Sequence, residues 1–156
     1  METSYIVYNK KVCMIKEIKN NSTYILIPVD DQSLKIEIPI SSPALRPLID
    51  KEEVNKIIKE IPNIPIIEEN DKLIEVQYKS LLKNGNYSDL ISIIKTSYLR
   101  NKKRIKDRKK ISEVDSHYFE LAEKYLYTEF SIILNKSFDE TKKYIEDCVR
   151  KYELSR

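Results

Sequence analysis

Residues 5–39 read YIVYNKKVCMIKEIKNNSTYILIPVDDQSLKIEIP. In this stretch, short segments rich in Ile, Val and Tyr are separated by polar segments that contain turn-forming Asn, Asp and Ser. The last segment alternates apolar and polar residues, which is typical of a strand with one buried face. The pattern therefore predicts strands over Tyr5–Tyr8, Val12–Ile18, Thr23–Pro28 and Leu34–Pro39.

Four or five short strands this close in sequence predict a small, strongly bent antiparallel sheet of the SH3 or Tudor kind. Beyond it, apolar residues recur at helical spacing over Lys51–Glu60, and Pro62 and Pro65 end that helix because proline removes an amide donor. We place the domain boundary in the segment 62–70. The sequence thus predicts an N-terminal domain over residues 1–61 and a C-terminal domain over residues 62–156.

The C-terminal part has the periodicity of four amphipathic helices. Asn84-Gly85 is a typical helix end, and Ser137-x-x-Glu140 is a capping box that begins another helix. On the helix after Gly85, the residues predicted to face inward are Leu90, Ile91, Ile94 and Tyr98. Four such helices can bury a shared core, so the predicted fold class is α+β, a barrel-like antiparallel sheet followed by a compact all-α domain.

Positive charge is concentrated in one segment. Residues 100–110 (RNKKRIKDRKK) have a net charge of +7, whereas the whole chain has +3, which leaves −4 elsewhere. Because lysine and arginine neutralise phosphates, the segment predicts nucleic-acid binding through the backbone with weak sequence preference. The alternative is a solvated helix end that only favours solubility. The candidate phosphate contacts are Arg100, Lys102, Lys103, Arg104, Lys106, Arg108, Lys109 and Lys110.

Several other chemistries lack the residues they need. Gly85 is the only glycine, which argues against a glycine-rich phosphate loop. Cys13 and Cys148 have neither disulfide-framework nor zinc spacing, and we expect no metal or cofactor. His117, the only histidine, has no nearby nucleophile; we place it at a core edge and expect no enzymatic activity. No segment approaches the roughly 18 apolar residues that span a bilayer, so no membrane contact and a cytoplasmic location are expected.

Short motifs follow one another in a characteristic order along the chain. They are Ile6-Val7-Tyr8, Leu34–Pro39 and Leu45-Arg46-Pro47, then Tyr78-Lys79-Ser80-Leu81-Leu82-x-x-Gly85-Asn86 and Leu90-x-x-Ile93-Ile94-Lys95 before the basic segment. In this order they resemble the CarD/CdnL family of bacterial transcription regulators. The resemblance implies a Tudor-like domain that binds the RNA polymerase β subunit. It also implies a helical domain that contacts promoter DNA near the upstream edge of the transcription bubble.

The resemblance implies that an exposed sheet edge pairs with a strand of the polymerase, a contact made through backbone groups. The strand it indicates consists of Leu34, Lys35, Ile36, Glu37, Ile38 and Pro39. Family members tend to carry an arginine where this chain has Glu37. The alternative is that this strand is interior to the barrel and that its alternation only records a core face.

In the family, a tryptophan at the start of the first C-terminal-domain helix wedges against the minor groove. This chain has no Trp, and Ile74 aligns with that position. Apolar side chains can act as such wedges, but Ile74 is also in phase with Tyr78 and could belong to the core. Lys79 matches a lysine that contacts the DNA backbone in the family.

Together these features predict a regulator, expected to be monomeric, that joins RNA polymerase to promoter DNA and modulates the stability of the open complex. Two alternatives stay open. The first is a diverged polymerase-binding adaptor without a DNA wedge. The second is a sequence-nonspecific basic helical protein that binds nucleic acid alone.

Overall fold

The computed structural model describes residues 4–154, which divide into two compact units, one ending at Asp50 and one beginning at Lys51. The first unit is an antiparallel five-stranded sheet that curls into a half-barrel. Its strands are β1 (Tyr5–Tyr8), β2 (Lys11–Lys19), β3 (Thr23–Pro28), β4 (Ile36–Pro39) and β5 (Leu45–Arg46). They lie in the order β4-β3-β2-β1-β5, which confirms the predicted bent sheet.

Tight turns and one irregularity produce the curl. Asn9 and Lys10 have φ values of 46° and 71°, so a two-residue turn of the left-handed kind joins β1 to β2. Asn20 and Asn21 are also left-handed, which asparagine tolerates better than most residues. A register shift between Ile15 and Glu17 interrupts the β2–β3 ladder, and such bulges bend a strand. The concave core contains Cys13, Leu26 and Ile38, flanked by Ile6, Tyr8, Ile15, Tyr24, Ile36 and Leu45.

The second unit is helical. Its helices are α1 (Lys51–Glu60), α2 (Ile74–Asn84), α3 (Tyr87–Lys106), α4 (Glu113–Leu134) and α5 (Phe138–Leu154). Gly85 ends α2 with φ 66°, a conformation that glycine adopts without steric cost. Ser137 and Glu140 exchange hydrogen bonds of 3.0 and 3.1 Å at the start of α5, which confirms the capping box. The α+β fold class is therefore confirmed.

The domain boundary predicted at residue 62 is wrong, because α1 belongs to the helical unit. Helix α1 packs against α4 and α5, and the segment that follows it is bonded along α3. Lys95 Nζ donates to the carbonyl oxygens of Ile61 and Ile64 at 2.8 and 2.6 Å. Farther along, Thr96 Oγ1 accepts from the Ile67 amide at 2.8 Å. The proline-rich segment 61–67 is thus a strap fastened to α3, not a linker between domains.

Tyr98 and His117 are more exposed than the sequence predicted. Tyr98 was expected to face inward, but it is 54% exposed, because the buried positions at that level of α3 are Thr96 and Ser97. His117 was expected at a core edge, but it is exposed, with its ring edge-on to Tyr118 at 5.0 Å between centroids. Among residues 4–154, no helix has the length and apolar character needed to cross a membrane.

Candidate functional site

The first candidate surface is the outer edge of β4. This strand is last in the sheet order and pairs with β3, so it is not interior to the sheet, although its alternation does reflect a core face. The Ile40 amide donates to the Ser22 carbonyl at 3.0 Å in continuation of the same register. Since hydrogen-bonded pairs alternate along an antiparallel ladder, Ile38 bonds toward β3 while the N–H and C=O of Glu37 point to the outer side.

Side chains along the edge divide between core and solvent. Ile38 is 8% exposed and belongs to the concave core, whereas Glu37 is exposed. Pro39 cannot donate a backbone hydrogen bond, and its carbonyl accepts from the Ser42 amide at 3.0 Å, which shortens the accessible edge. Leu34 and Lys35, predicted as part of the strand, precede β4 and are exposed. The pairing edge is therefore shorter than predicted and centred on Glu37.

The second candidate surface is the basic segment, which covers the end of α3 and the turn after it. Arg108 has a φ of 59°, and the Lys109 amide donates to the Arg104 carbonyl at 2.7 Å, so the chain reverses sharply here. Lysines near a helix C-terminus also offset the partial negative charge of the helix dipole. Six cations of the segment are exposed: Lys102, Lys103, Lys106, Arg108, Lys109 and Lys110.

Arg100, predicted as a phosphate contact, is instead part of a buried network. Its Nε donates to both carboxylate oxygens of Asp115 at 3.2 and 3.1 Å, and the Asp115 side chain has no exposed surface. The Tyr78 hydroxyl donates to the same carboxylate at 2.6 Å. Burial, with the neighbouring carboxylate, raises the pKa of Tyr78 and keeps this donor protonated. Arg100 therefore compensates a buried charge, and its guanidinium is engaged within the protein by Asp115 and Asp71 rather than free for a phosphate.

Arg104 is also engaged within the protein. Its Nε donates to the Lys110 carbonyl at 2.9 Å, and its Nη1 lies 3.8 Å from Asp71. Asp71 pairs with Arg100 as well, and that hydrogen bond lowers the pKa of Asp71, so its carboxylate stays charged near neutral pH. These groups line a recess of about 190 Å³ together with Lys103, Asp107 and Lys109. Arg104 thus stabilises the loop after α3, and its guanidinium is only partly available to bind a ligand.

Ile74 lies in the core. It begins α2, is 2% exposed and is buried like Tyr78 one turn later, so it cannot insert between base pairs. The exposed apolar side chains at this end of α2 are Leu73 and Val76, at 48% and 60%. Sequence reasoning missed both, although each falls outside the stripe formed by Ile74 and Tyr78. Lys79 is exposed, as a phosphate contact requires.

Comparison with known proteins gives no support for a family assignment. No family model matches the chain, and no curated protein is significantly similar to it. The resemblance to CarD/CdnL regulators stays a prediction, and it depends on the short motifs alone. Among residues 4–154, no group of three His, Cys, Asp or Glu side chains is arranged to hold a metal ion.

Proposed function

We propose that this chain is a transcription regulator of the CarD/CdnL kind, which binds the RNA polymerase β subunit and promoter DNA and catalyses no reaction. The observation that carries the proposal is the presence of two chemically different surfaces on two compact units. One unit has an edge strand with outward backbone groups, and the other has a helix end with six exposed cations. An adaptor that joins a protein to a polyanion needs both kinds of surface.

The polymerase contact is proposed for β4. Backbone groups of Glu37 point outward and can pair with a strand of the partner. Exposed apolar side chains flank this strand on both sides, with Leu34 at 44% and Ile40 at 37%, and a partner strand would bury them. Backbone pairing tolerates side-chain differences, so Glu37 is compatible with this contact although its charge differs from the arginine implied by the resemblance.

The DNA contact is proposed for the exposed cations at the end of α3, with Lys79 on α2 as an additional phosphate contact. The burial of Ile74 favours a regulator that holds phosphates without a wedge at that position. Such a protein would act on the open complex by tethering, since phosphate contacts position a protein but carry no sequence information. We expect binding to DNA of any sequence, with a strong dependence on salt.

Replacing Glu37 by proline tests the polymerase contact. Proline removes an N–H that points away from β3, so the ladder within the sheet keeps its hydrogen bonds while an added strand loses one donor. We expect Glu37→Pro to abolish capture of the cognate polymerase β subunit in a pull-down. Glu37→Ala, which keeps the amide and removes the charge, should still capture it.

Circular dichroism of both variants provides the control for folding. If both variants capture the β subunit as well as the unmodified protein does, the contact is not at the β4 edge. If the unmodified protein captures neither polymerase nor its β subunit, the proposed function is wrong.

A further inference from the structure

The helical unit has a second surface that the sequence did not indicate, a groove between the end of α3 and the first turns of α4. This α3–α4 groove has a volume of about 340 Å³, at the lower end of the range for small-ligand sites. The apolar part of its lining consists of Tyr98, Ile105, Ile111 and Phe119, and the polar part consists of Ser97, Asn101, Lys102, Ser116 and Glu120.

Several apolar side chains that line the groove are exposed. Tyr98, Ile105 and Ile111 are 54%, 64% and 46% exposed. The ring centroids of Tyr98 and Phe119 are 6.4 Å apart and the ring planes are at an angle of 31°, so the two rings form a tilted aromatic pair. Lys102 Nζ lies over the Tyr98 ring, 5.8 Å from its centre, so a stacked ligand would share this ring with a cation or displace it.

Polar groups in the lining of the groove are already used within the protein. Asn101 Oδ1 accepts from the Ser112 amide at 2.8 Å, and its Nδ2 donates to Ser116 Oγ at 3.1 Å and to the Ser112 carbonyl at 3.3 Å. Apart from the charged side chains of Lys102 and Glu120, a ligand in the groove would therefore meet mainly aromatic and aliphatic surface. This lining suits a flat ring that packs against the groove by its face and whose edge makes no specific hydrogen bonds with the protein.

We propose that the α3–α4 groove binds an unpaired nucleotide, with the base stacked on Tyr98 and the flanking phosphates near Lys102 and Lys106. This inference rests on the proposed function and specifies its DNA partner as the unpaired strand at a bubble edge. Charge complementarity favours this occupant, because Lys102 lines the groove, and Lys106 and Lys110 are next in sequence to its lining residues Ile105 and Ile111. These cations outnumber Glu120, the one carboxylate in the lining, and a polyanion with apolar bases matches both the cations and the apolar walls. Stacking tolerates any base, so little sequence preference is expected.

The test compares Tyr98→Ala with Leu99→Ala, its neighbour on α3, which is 43% exposed and does not line the groove. Fluorescence anisotropy would measure binding to a labelled thymidine oligomer of about ten nucleotides and to a blunt duplex. We expect Tyr98→Ala to bind the oligomer about tenfold more weakly and the duplex unchanged. Leu99→Ala should bind both normally, and Tyr98→Phe should retain oligomer binding because the ring is kept.

The outcomes separate this inference from the proposed function. If the unmodified protein binds both nucleic acids and Tyr98→Ala binds the oligomer equally well, the groove assignment is wrong while the phosphate contact stands. If Tyr98→Ala loses polymerase capture but keeps oligomer binding, the groove is a protein-docking surface and the inference fails. If the unmodified protein binds neither nucleic acid, the proposed DNA contact and the groove assignment both fail.

Discussion

Replacing Lys102, Lys103 and Lys106 by glutamine should change the salt dependence of DNA binding by an amount that the structure sets. Eight cations lie in the basic segment, but Arg100 and Arg104 are engaged with Asp115, Asp71 and the Lys110 carbonyl, which leaves six exposed. Each phosphate contact lowers the slope of log K against log salt by about 0.9. If these six contact phosphates and Lys79 does not, the slope is about −5, and the triple variant should show about −3.

Anisotropy titrations of a labelled duplex between about 50 and 200 mM salt measure this slope. Over that range, the unmodified protein should lose roughly three orders of magnitude in affinity, and the triple variant roughly 40-fold. The matched control replaces the exposed Lys51, Lys56 and Lys59 of α1 by glutamine, which is the same change in net charge on another helix. Equal slopes for the unmodified protein and the basic-segment variant, or equal losses in the two variants, would refute a localised DNA contact.

Two further substitutions test the interior of the helical unit. Tyr78→Phe removes a donor to the buried Asp115 carboxylate, so denaturant unfolding should show a free energy of unfolding lower by about 2 kcal/mol. Tyr125→Phe is the same change at a half-buried position and should cost less than about 0.5 kcal/mol. Equal losses in the two variants would contradict the network. Ile74→Trp should destabilise the protein by about 1–3 kcal/mol, because the Ile74 side chain is only 2% exposed. Val76→Trp, at a 60% exposed position, should be tolerated. If the Ile74→Trp protein is as stable as the unmodified protein, the placement of Ile74 in the core is wrong.

Local signals in the sequence were sufficient for most of the elements. Alternation predicted the strands, the Asn-rich turns predicted their connections, and the Ser137–Glu140 pair located the start of α5, because each signal acts within a few residues of its own position. The boundary at residue 62 failed for the opposite reason. Proline stops a helix locally, but the bonds from Lys95 and Thr96 that fasten the strap to α3 come from about 30 positions away and leave no local pattern.

The candidate site was less predictable because exposure and pairing depend on tertiary contacts. Arg100 and Lys102 are both cations of the basic segment, and the sequence does not distinguish their roles. Only Arg100 bonds to Asp115, which lies 15 positions away on another helix. Small polar residues also disguised the inward face of α3. Thr96 and Ser97 are small polar residues of the kind usually found facing solvent, but they are buried. Because these two positions of α3 face inward, Tyr98 lies at the surface.

Packing between α1 and α5 has a consequence for how the chain folds during synthesis. The Tyr144 hydroxyl donates to Asn55 Oδ1 at 3.4 Å across 89 positions, so α1 cannot acquire these contacts until α5 has been made. All five strands of the sheet unit lie before Asp50. At about 5–20 residues per second, translation of residues 51–154 takes roughly 5–20 s, long enough for the sheet to fold first. We therefore expect the β4 edge to be able to bind a partner before the helical unit has folded, because that unit needs α5 to be made first.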